Sequence, residues 1–332
     1  MKPLAIVGAG SWGTALALIL APRFERIRLW VYETDLAARM MHTRENDVYL
    51  PGFRLPTNIE ISASLAETIG GAPIVLSAVP SHFLRNVYRE MLPQLHAETM
   101  FVSATKGIEN ETLKRPSEII SEVLSARFSP RVGVLSGPSF ANEAARSIPT
   151  AIVIASYDLA LSQCIQASFS GPTFRLYTSS DPVGVEIGGS TKNVVAIGAG
   201  VVYGLGLGHN SMAALITRGL AEITRLAVAL GGQAQTLSGL AGLGDLVLTC
   251  TGDLSRNRSV GIELARGRRL EEIVNSMQMV AEGVKTTTAT WELAQRLGVE
   301  MPITEQMYQM LHMGLPPREA VRRLMERSLR SE

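Results

Sequence analysis

The sequence predicts an α/β chain in two parts, a doubly wound sheet over about residues 1–180 followed by an all-α domain over 181–332. Three observations carry this. An apolar strand near the N-terminus runs directly into Gly8-Ala9-Gly10-Ser11-Trp12-Gly13 and then into an apolar helix. Short apolar runs then alternate with helical segments, the pattern of a parallel sheet with crossover helices. After Asp181 no alternating strand pattern is found, and apolar residues recur at helical spacing.

Taken in order, Leu4–Val7 is the first strand and Thr14–Leu20 continues as helix. Between them lies GxGxxG in its proper context of strand, tight turn and helix. Gly8 permits the turn, Gly10 lets a pyrophosphate approach, and Gly13 lets helix pack on strand. Ser11 and Trp12 complete the turn, and the helix N-terminus offers N–H groups to phosphate. Ile27–Val31 is the second strand, and Glu33 follows it, twenty residues after Gly13. At that place a doubly wound nucleotide-binding fold puts the residue that reads the adenosine ribose. A carboxylate suits a free 2′-hydroxyl, so Glu33 leans towards NAD, with Arg39 and Arg44 close by in sequence. The plainer alternative is a solvated strand end.

Met41–Pro56 reads as a loop, punctuated by Pro51-Gly52 and Pro56. Ile59–Ile61 is a short strand, Leu65–Ile69 a short helix, Ile74–Val79 a buried parallel strand and Phe83–Leu92 a helix. Met100–Ala104 and Val132–Leu135 are further strands. The segments after these strands are Ser81-His82, Thr105-Lys106-Gly107 and Ser136-Gly137-Pro138-Ser139-Phe140-Ala141. In open α/β sheets ligands bind beyond the carboxyl ends of strands, so all three are expected to face one crevice. Lys106 is a ligand candidate there, equally readable as a surface lysine, and His82 reads as an ordinary loop histidine rather than a base. Thr150–Ala155 and Phe174–Tyr177 are strands flanking the helix Leu159–Phe169.

The stretch Val183–Leu207 is almost entirely apolar or small, which marks a segment buried on all sides. It carries Glu186 and Lys192. A charged lysine is costly to desolvate there unless a carboxylate partners it. That cost is what suits a lysine to giving and taking a proton. A structural ion pair or a snorkelling side chain is the bland alternative. The glycines of this stretch are poor helix formers, useful where another backbone or a ligand comes close.

Ser211–Leu230 has the spacing of an amphipathic helix. Gly239–Asp245 is a glycine-rich break presenting a single carboxylate, and Asp245 is either the lysine's partner or a helix N-cap. Ser255-Arg256-Asn257-Arg258 opens a helix ending near Gly267. Ser255 is a good N-cap, and an arginine fork with an amide at a helix N-terminus makes an anion site. A merely basic first turn would oppose the helix dipole. Val280-Ala281-Glu282-Gly283 precedes a helix ending near Leu297, and Pro302 and Pro316-Pro317 introduce the last two helices.

Composition narrows the function classes. The 332 residues carry a net charge of +1, so no global field favours nucleic acid or an acidic membrane. Cys164 and Cys250 are far apart and are expected as buried free thiols, and the histidines are scattered without metal-ligand spacing. There is no signal-peptide pattern, and the longest uncharged apolar run, Val194–Leu207, is too short to span a bilayer. The expectation is a soluble cytoplasmic enzyme. A homodimer is a further expectation, from the glycine-rich apolar helices of the second half.

GAGSWGTAL (Gly8–Leu16), ATKG (Ala104–Gly107), SGPSFA (Ser136–Ala141), TKNVVAIGAG (Thr191–Gly200), TRGLAE (Thr217–Glu222), AGLGDLVLTCT (Ala241–Thr251) and SRNR (Ser255–Arg258) together resemble the bacterial type of NAD(P)-dependent glycerol-3-phosphate dehydrogenase. The resemblance runs from about residue 4 to residue 320, with TKNVVAIGAG and GLGDLVLTC…SRNR its most specific parts. It implies a Rossmann-type first domain, NADH or NADPH as cofactor, and reduction of dihydroxyacetone phosphate to sn-glycerol 3-phosphate between the two domains. That reaction feeds glycerophospholipid synthesis. By the same resemblance Lys192 would be the proton donor and acceptor, flanked by Lys106 and Asp245. Gly137 and Ser139 would line the substrate site, and Ser255, Arg256 and Asn257 would hold the substrate phosphate. Ser11, Trp12, Lys106, Ala141, Arg256, Val280 and Glu282 would contact the cofactor. The chain departs from the family where it carries Tyr32-Glu33, a place often held by histidine or arginine. A related hydroxyacid or sugar-acid dehydrogenase would share the GxGxxG and the helical domain but needs a carboxylate site where SRNR stands. A non-catalytic nucleotide sensor would leave Lys192, Asp245 and Arg256 without a shared purpose.

Overall fold

The computed structural model describes residues 3–277 and 281–329. They divide into two compact units, one of Met1–Lys106 with Lys114–Val185, the other of Gly107–Leu113 with Glu186–Glu332. The second unit thus takes in seven residues that a single cut near 180 assigns to the first. The reason is local: the Gly107 N–H donates to Ser190 Oγ (2.9 Å), and that hydroxyl donates to the Gly107 carbonyl (3.1 Å).

The first unit is built on strands β1 (Leu4–Val7), β2 (Ile27–Trp30), β5 (Ile59–Ser62), β6 (Ile74–Ser77), β7 (Met100–Ser103), β8 (Arg131–Ser136), β9 (Thr150–Ala155) and β10 (Phe174–Ser179). Their order across the sheet is β10-β9-β8-β7-β6-β1-β2-β5. The run from β5 to β8 is wholly parallel, and β9 joins it antiparallel to β8. Chain order reverses at β1, which lies between β2 and β6, so this is the doubly wound arrangement with its switch point at β1. The central strands β1, β6 and β7 read as near-continuous apolar runs because helices cover both faces, while the edge strands β5 and β10 alternate. One face packs the cluster of Leu4, Ile6, Leu16, Leu20, Leu29 and Phe169, the other that of Val7, Val75, Leu84, Tyr88, Phe101 and Ile120.

The helices of this unit are α1 (Ser11–Leu20), α2 (Thr34–Thr43), α3 (Leu65–Ile69), α4 (Ser81–Met91), α5 (Pro116–Leu124), α6 (Ala141–Ala145) and α7 (Leu159–Phe169). His82, expected in a loop, lies in the first turn of α4. The stretch expected as a loop from Met41 to Pro56 holds the end of α2 and a small antiparallel pair, β3 (Glu45–Asn46) with β4 (Leu50–Arg54). Proline and glycine sit in β4 without cost because this is an isolated ribbon with few ladder bonds to lose.

The second unit holds α9 (Gly208–Ala229), α10 (Ala234–Leu237), α11 (Asp245–Thr251), α12 (Arg256–Ala265), α13 (Leu270–Ser276), α14 (Glu282–Leu297), α15 (Pro302–His312) and α16 (Pro317–Met325). Helix α8 (Pro182–Gly204) begins in the first unit and runs on into the second. Asp181 caps it by accepting from the Gly184 N–H at 2.8 Å. It is buried from Pro182 through Val202. Its glycines do what their placement suggested, letting other backbones come close. A Cβ on Gly188 would lie 2.5 Å from the Ala241 carbonyl, and one on Gly200 only 2.0 Å from that of Arg258. The approach is mutual, since a Cβ on Gly261 of α12 would meet the Ile197 carbonyl at 1.9 Å. Gly219 of α9 abuts Val195, and Gly283 of α14 abuts the Asn193 carbonyl. The expected break at Gly239–Asp245 is instead a wide helical turn, Leu240–Gly244, that feeds α11 directly.

Candidate active site

In the first unit the carboxyl ends of β2, β1, β6, β7 and β8 lie side by side along one edge of the sheet. The glycine turn stands at the centre. Gly8 has φ +108°, and a Cβ there would lie 2.9 Å from the Ala78 carbonyl. A Cβ on Gly13 would lie 1.9 Å from the Gly8 carbonyl, so α1 reaches the strand only because residue 13 lacks one. Gly10 differs: no protein atom lies within 4 Å of its Cβ position. The fold itself does not require glycine there, and Gly10 is the N-cap of α1, where no side chain makes a capping bond. These three environments fit a dinucleotide pyrophosphate at Gly10, with Ser11 and Trp12 in the first helical turn.

Asn46 fixes this turn and gave no sequence signal. It is wholly buried, and its amide donates to the Ala9 carbonyl (2.8 Å) and to Thr14 Oγ1 (2.9 Å). Glu33 is the residue before α2, beyond the end of β2, and accepts a hydrogen bond from the Tyr49 hydroxyl at 2.7 Å. On the other side of β1, Thr105 Oγ1 donates to the Val79 carbonyl at 2.8 Å, which ties together the turns after β6 and β7. Lys106 is half-buried at the end of the second turn. Gly137, at φ +144°, is held against β9, where a Cβ would lie 2.9 Å from Ile152 Cα. Ser139 Oγ donates to the Gly137 carbonyl (2.9 Å), and Ala141 opens α6.

In the second unit Lys192 and Asp245 are brought together. Asp245 is 0% exposed and Lys192 5%. The lysine Nζ pairs with the Asp245 carboxylate and donates to Thr249 Oγ1 at 2.9 Å, and that hydroxyl donates to the Asp245 backbone carbonyl at 2.6 Å. Thr249 is a member of this cluster that sequence reasoning missed. It stands four residues after Asp245, the same face of one helical turn, and that spacing could have found it. Asp245 is not a helix cap here; it is the first residue of α11 and carries the lysine's counter-charge. Beside the pair, burial pushes the Cys250 thiol up to about 12, outweighing the nearby charges of Lys192 and Arg258. It stays a thiol and is no nucleophile. Cys164, expected buried, is exposed.

Ser255 caps α12 as expected, accepting from the Arg258 N–H at 3.2 Å. Arg256 points out of the first turn and is exposed, while Asn257 and Arg258 are buried. Asn257 Oδ1 accepts from the Gly283 N–H at 2.9 Å, which leaves its amide nitrogen as the donor end. Because Gly283 also abuts the Asn193 carbonyl, the start of α14 with Glu282 is clamped between α12 and the residue next to Lys192. Arg258 is not an anion contact of the same kind. Its guanidinium lies 4.5 Å from the centre of the Tyr203 ring and pairs with Asp253 at 3.0 Å. Val280 lies outside the described residues. Among the described residues no group of three His, Cys, Asp or Glu could hold a metal ion, and no helix is long and apolar enough to cross a membrane.

In the second unit a buried lysine held by a carboxylate and a hydroxyl, with a basic helix N-terminus pinned to its helix, suits proton transfer to a carbonyl of a phosphorylated compound, and in the first unit the glycine turn by itself fits a pyrophosphate. Comparison with known proteins agrees. The chain matches two family models, the N-terminus of NAD-dependent glycerol-3-phosphate dehydrogenase over residues 3–162 and its C-terminus over 181–322. It is 54% identical to the glycerol-3-phosphate dehydrogenase [NAD(P)+] of Koribacter versatilis, covering 100% of this chain and 99% of the relative. That of Geobacter sp. strain M21 is 53% identical at the same coverage. The crystal structure of glycerol-3-phosphate dehydrogenase from Coxiella burnetii superposes with a TM-score of 0.94 at 41% identity, over 98% of this chain and 99% of that one. A ketopantoate reductase from Ralstonia eutropha, at 16% identity and a TM-score of 0.59, shares the fold alone. The chain therefore belongs to the NAD-dependent glycerol-3-phosphate dehydrogenase family.

Proposed function

We propose that this chain reduces dihydroxyacetone phosphate to sn-glycerol 3-phosphate with a reduced nicotinamide dinucleotide, as a cytoplasmic step towards glycerophospholipids. The observation that carries the reading is the buried Lys192–Asp245–Thr249 cluster, whose lysine stands on a helix packed backbone to backbone against the helix that begins with Arg256. The nicotinamide, when bound, supplies the hydride to the carbonyl carbon. Lys192 Nζ gives a proton to the carbonyl oxygen as the alcohol forms, and takes it back in the reverse direction. Asp245 and Thr249 hold the ammonium in one place, so its orientation is set before substrate arrives. Ser255, Arg256 and the Asn257 amide would hold the phosphate dianion, and Lys106, Gly137 and Ser139 would bound the rest of the substrate. Gly8 to Gly13, Glu33, Ala141, Arg256 and Glu282 would hold the dinucleotide.

Arg256→Ala tests the phosphate assignment. Arg256 is exposed, so its loss leaves folding intact. Removing a charge-assisted fork worth about 1.5–3 kcal/mol lowers kcat/KM for dihydroxyacetone phosphate roughly 10- to 150-fold, mostly through KM. The assay follows nicotinamide absorbance, with a 2-oxo acid as control substrate. Unchanged kinetics, or faster turnover of the oxo acid than of the phosphate, would remove the basis of the reading.

A further inference from the structure

We infer that this chain selects NADH over NADPH, and that Tyr49 sets the selection by holding the Glu33 carboxylate at the adenosine ribose. The inference rests on the dinucleotide reading above and goes beyond it in naming the cofactor and the residue that fixes the choice.

Glu33 stands where β2 ends, next to β1, and the Gly8 N–H of the glycine turn donates to the Trp30 carbonyl at 3.2 Å. Ribose hydroxyls at this strand end are donors, so a carboxylate satisfies them, whereas a 2′-phosphate brings like charge against it. An exposed glutamate could ordinarily swing aside and accommodate the phosphate. Here it is tethered. The Tyr49 hydroxyl donates to Oε1 at 2.7 Å, which leaves Oε2 as acceptor for a ribose hydroxyl. The contact with Glu33 also holds the phenol up near 12, so it remains a donor across the physiological range.

Tyr49 is fixed in turn. Its N–H donates to Asn46 Oδ1 at 2.9 Å, and the Asn46 amide is bonded to Ala9 and Thr14 of the glycine turn. Residues 46–49 therefore connect the pyrophosphate turn to the ribose carboxylate as one piece, and the register between the two is set before a nucleotide arrives.

A 2′-phosphate would need a cation in place of the carboxylate. The two arginines close in sequence are both engaged elsewhere. Arg39 forks onto Asp47 at 3.2 and 3.3 Å. Arg44 bonds the Ile59 carbonyl at 2.7 Å, the Leu55 carbonyl at 3.4 Å and the Pro56 carbonyl. Recruiting Arg44 would open the connection between α2 and β5; the Arg39 fork is exposed and weaker, but brings Asp47's charge with it.

The test is direct binding without substrate, titrating wild type, Tyr49→Phe and Glu33→Gln with NADH and with NADPH and following nicotinamide fluorescence. Wild type is expected to bind NADH at least about tenfold more tightly. Tyr49→Phe should narrow that ratio by roughly three- to tenfold, chiefly by weakening NADH, because one hydrogen bond that orients the carboxylate is lost. Glu33→Gln, an exposed and isosteric change, should bring the two affinities to within about threefold. Equal affinities in wild type would overturn the inference. So would a Tyr49→Phe protein that loses both nucleotides in the same proportion, since a purely structural tyrosine would act in that way. Binding of neither nucleotide by wild type would overturn the dinucleotide reading itself, and the selection with it.

Discussion

Replacing Lys192 by methionine keeps the length and apolar contacts of the side chain and removes the ammonium. Asp245 is 0% exposed, so its carboxylate cannot turn to water. Breaking a buried pair by deleting one member costs about 3–5 kcal/mol, because the surviving charge is left without compensation. For a unit of this size that is a fall in Tm of roughly 6–20 °C. Loss of a general acid lowers kcat by about 10²–10⁴-fold. Activity and stability therefore fall together in Lys192→Met, and the single variant cannot say which loss causes the other. The double variant Lys192→Met with Asp245→Asn separates them. A neutral amide of the same shape removes the stranded charge, and about 2–3 kcal/mol of stability should return with no turnover. Denaturant unfolding, NADH binding and turnover are measured on wild type, single and double variants. Recovery of turnover in step with stability in the double variant would refute the proton-carrier role. A single variant as stable as wild type would refute the buried-charge argument.

The glycine turn separates packing from ligand approach. Gly13→Ala drives a Cβ to 1.9 Å from the Gly8 carbonyl and should cost about 1–3 kcal/mol of stability in denaturant unfolding. Gly10→Ala meets no protein atom within 4 Å and should unfold within about 1 kcal/mol of wild type, yet lose NADH affinity by about tenfold or more in the fluorescence titration. Glu222 carries a pH signature: burial pushes its carboxyl up to about 7 from an ordinary 4.5, against hydrogen bonds from Ile303 and Thr304 that favour the charged form. A folded pKa above the unfolded one means a penalty that is absent below about 4.5, grows as pH rises and is complete above about 7, at most on the order of 3 kcal/mol. Glu222→Gln should therefore gain stability relative to wild type between pH 5 and pH 8; a pH-independent difference in unfolding free energy would contradict it.

Where neighbours in sequence are neighbours in space, the chain could be read directly. The α7 span and the Ser255 cap rest on contacts within a few residues, and Leu4–Val7 announces itself by an apolar run leading straight into the glycine turn. Parts of the site that depend on distant partners were less legible. Asn46 reads as a loop residue, and its amide becomes structural only through Ala9 and Thr14, more than thirty residues away. The β3–β4 ribbon escaped notice because Pro51 and Gly52 punctuate a strand that has a single partner. Residue type suggested the pairing of Lys192 with Asp245, but not Thr249, since threonine in a helix usually signals nothing beyond a bond to the preceding turn. Cys164 shows the converse error: residue type argued for burial, while its place on the outer side of α7 leaves it exposed.

The contacts of Gly200 with Gly261 and, one turn on, of Gly204 with Ala265 make α8 and α12 a pair of rods riveted along one seam. Lys192 stands eight residues along one rod, roughly 12 Å from the rivet, and Arg256 five residues along the other, roughly 7.5 Å. On the proposed reading, this crossing sets the backbone spacing of proton carrier and phosphate grip and so acts as a gauge of substrate length. A methyl group at the rivet would spread the rods and reset the gauge, and a misfit of about 1 Å costs about a hundredfold in rate. On that reading, moving this backbone crossing is a route to longer phosphorylated ketones.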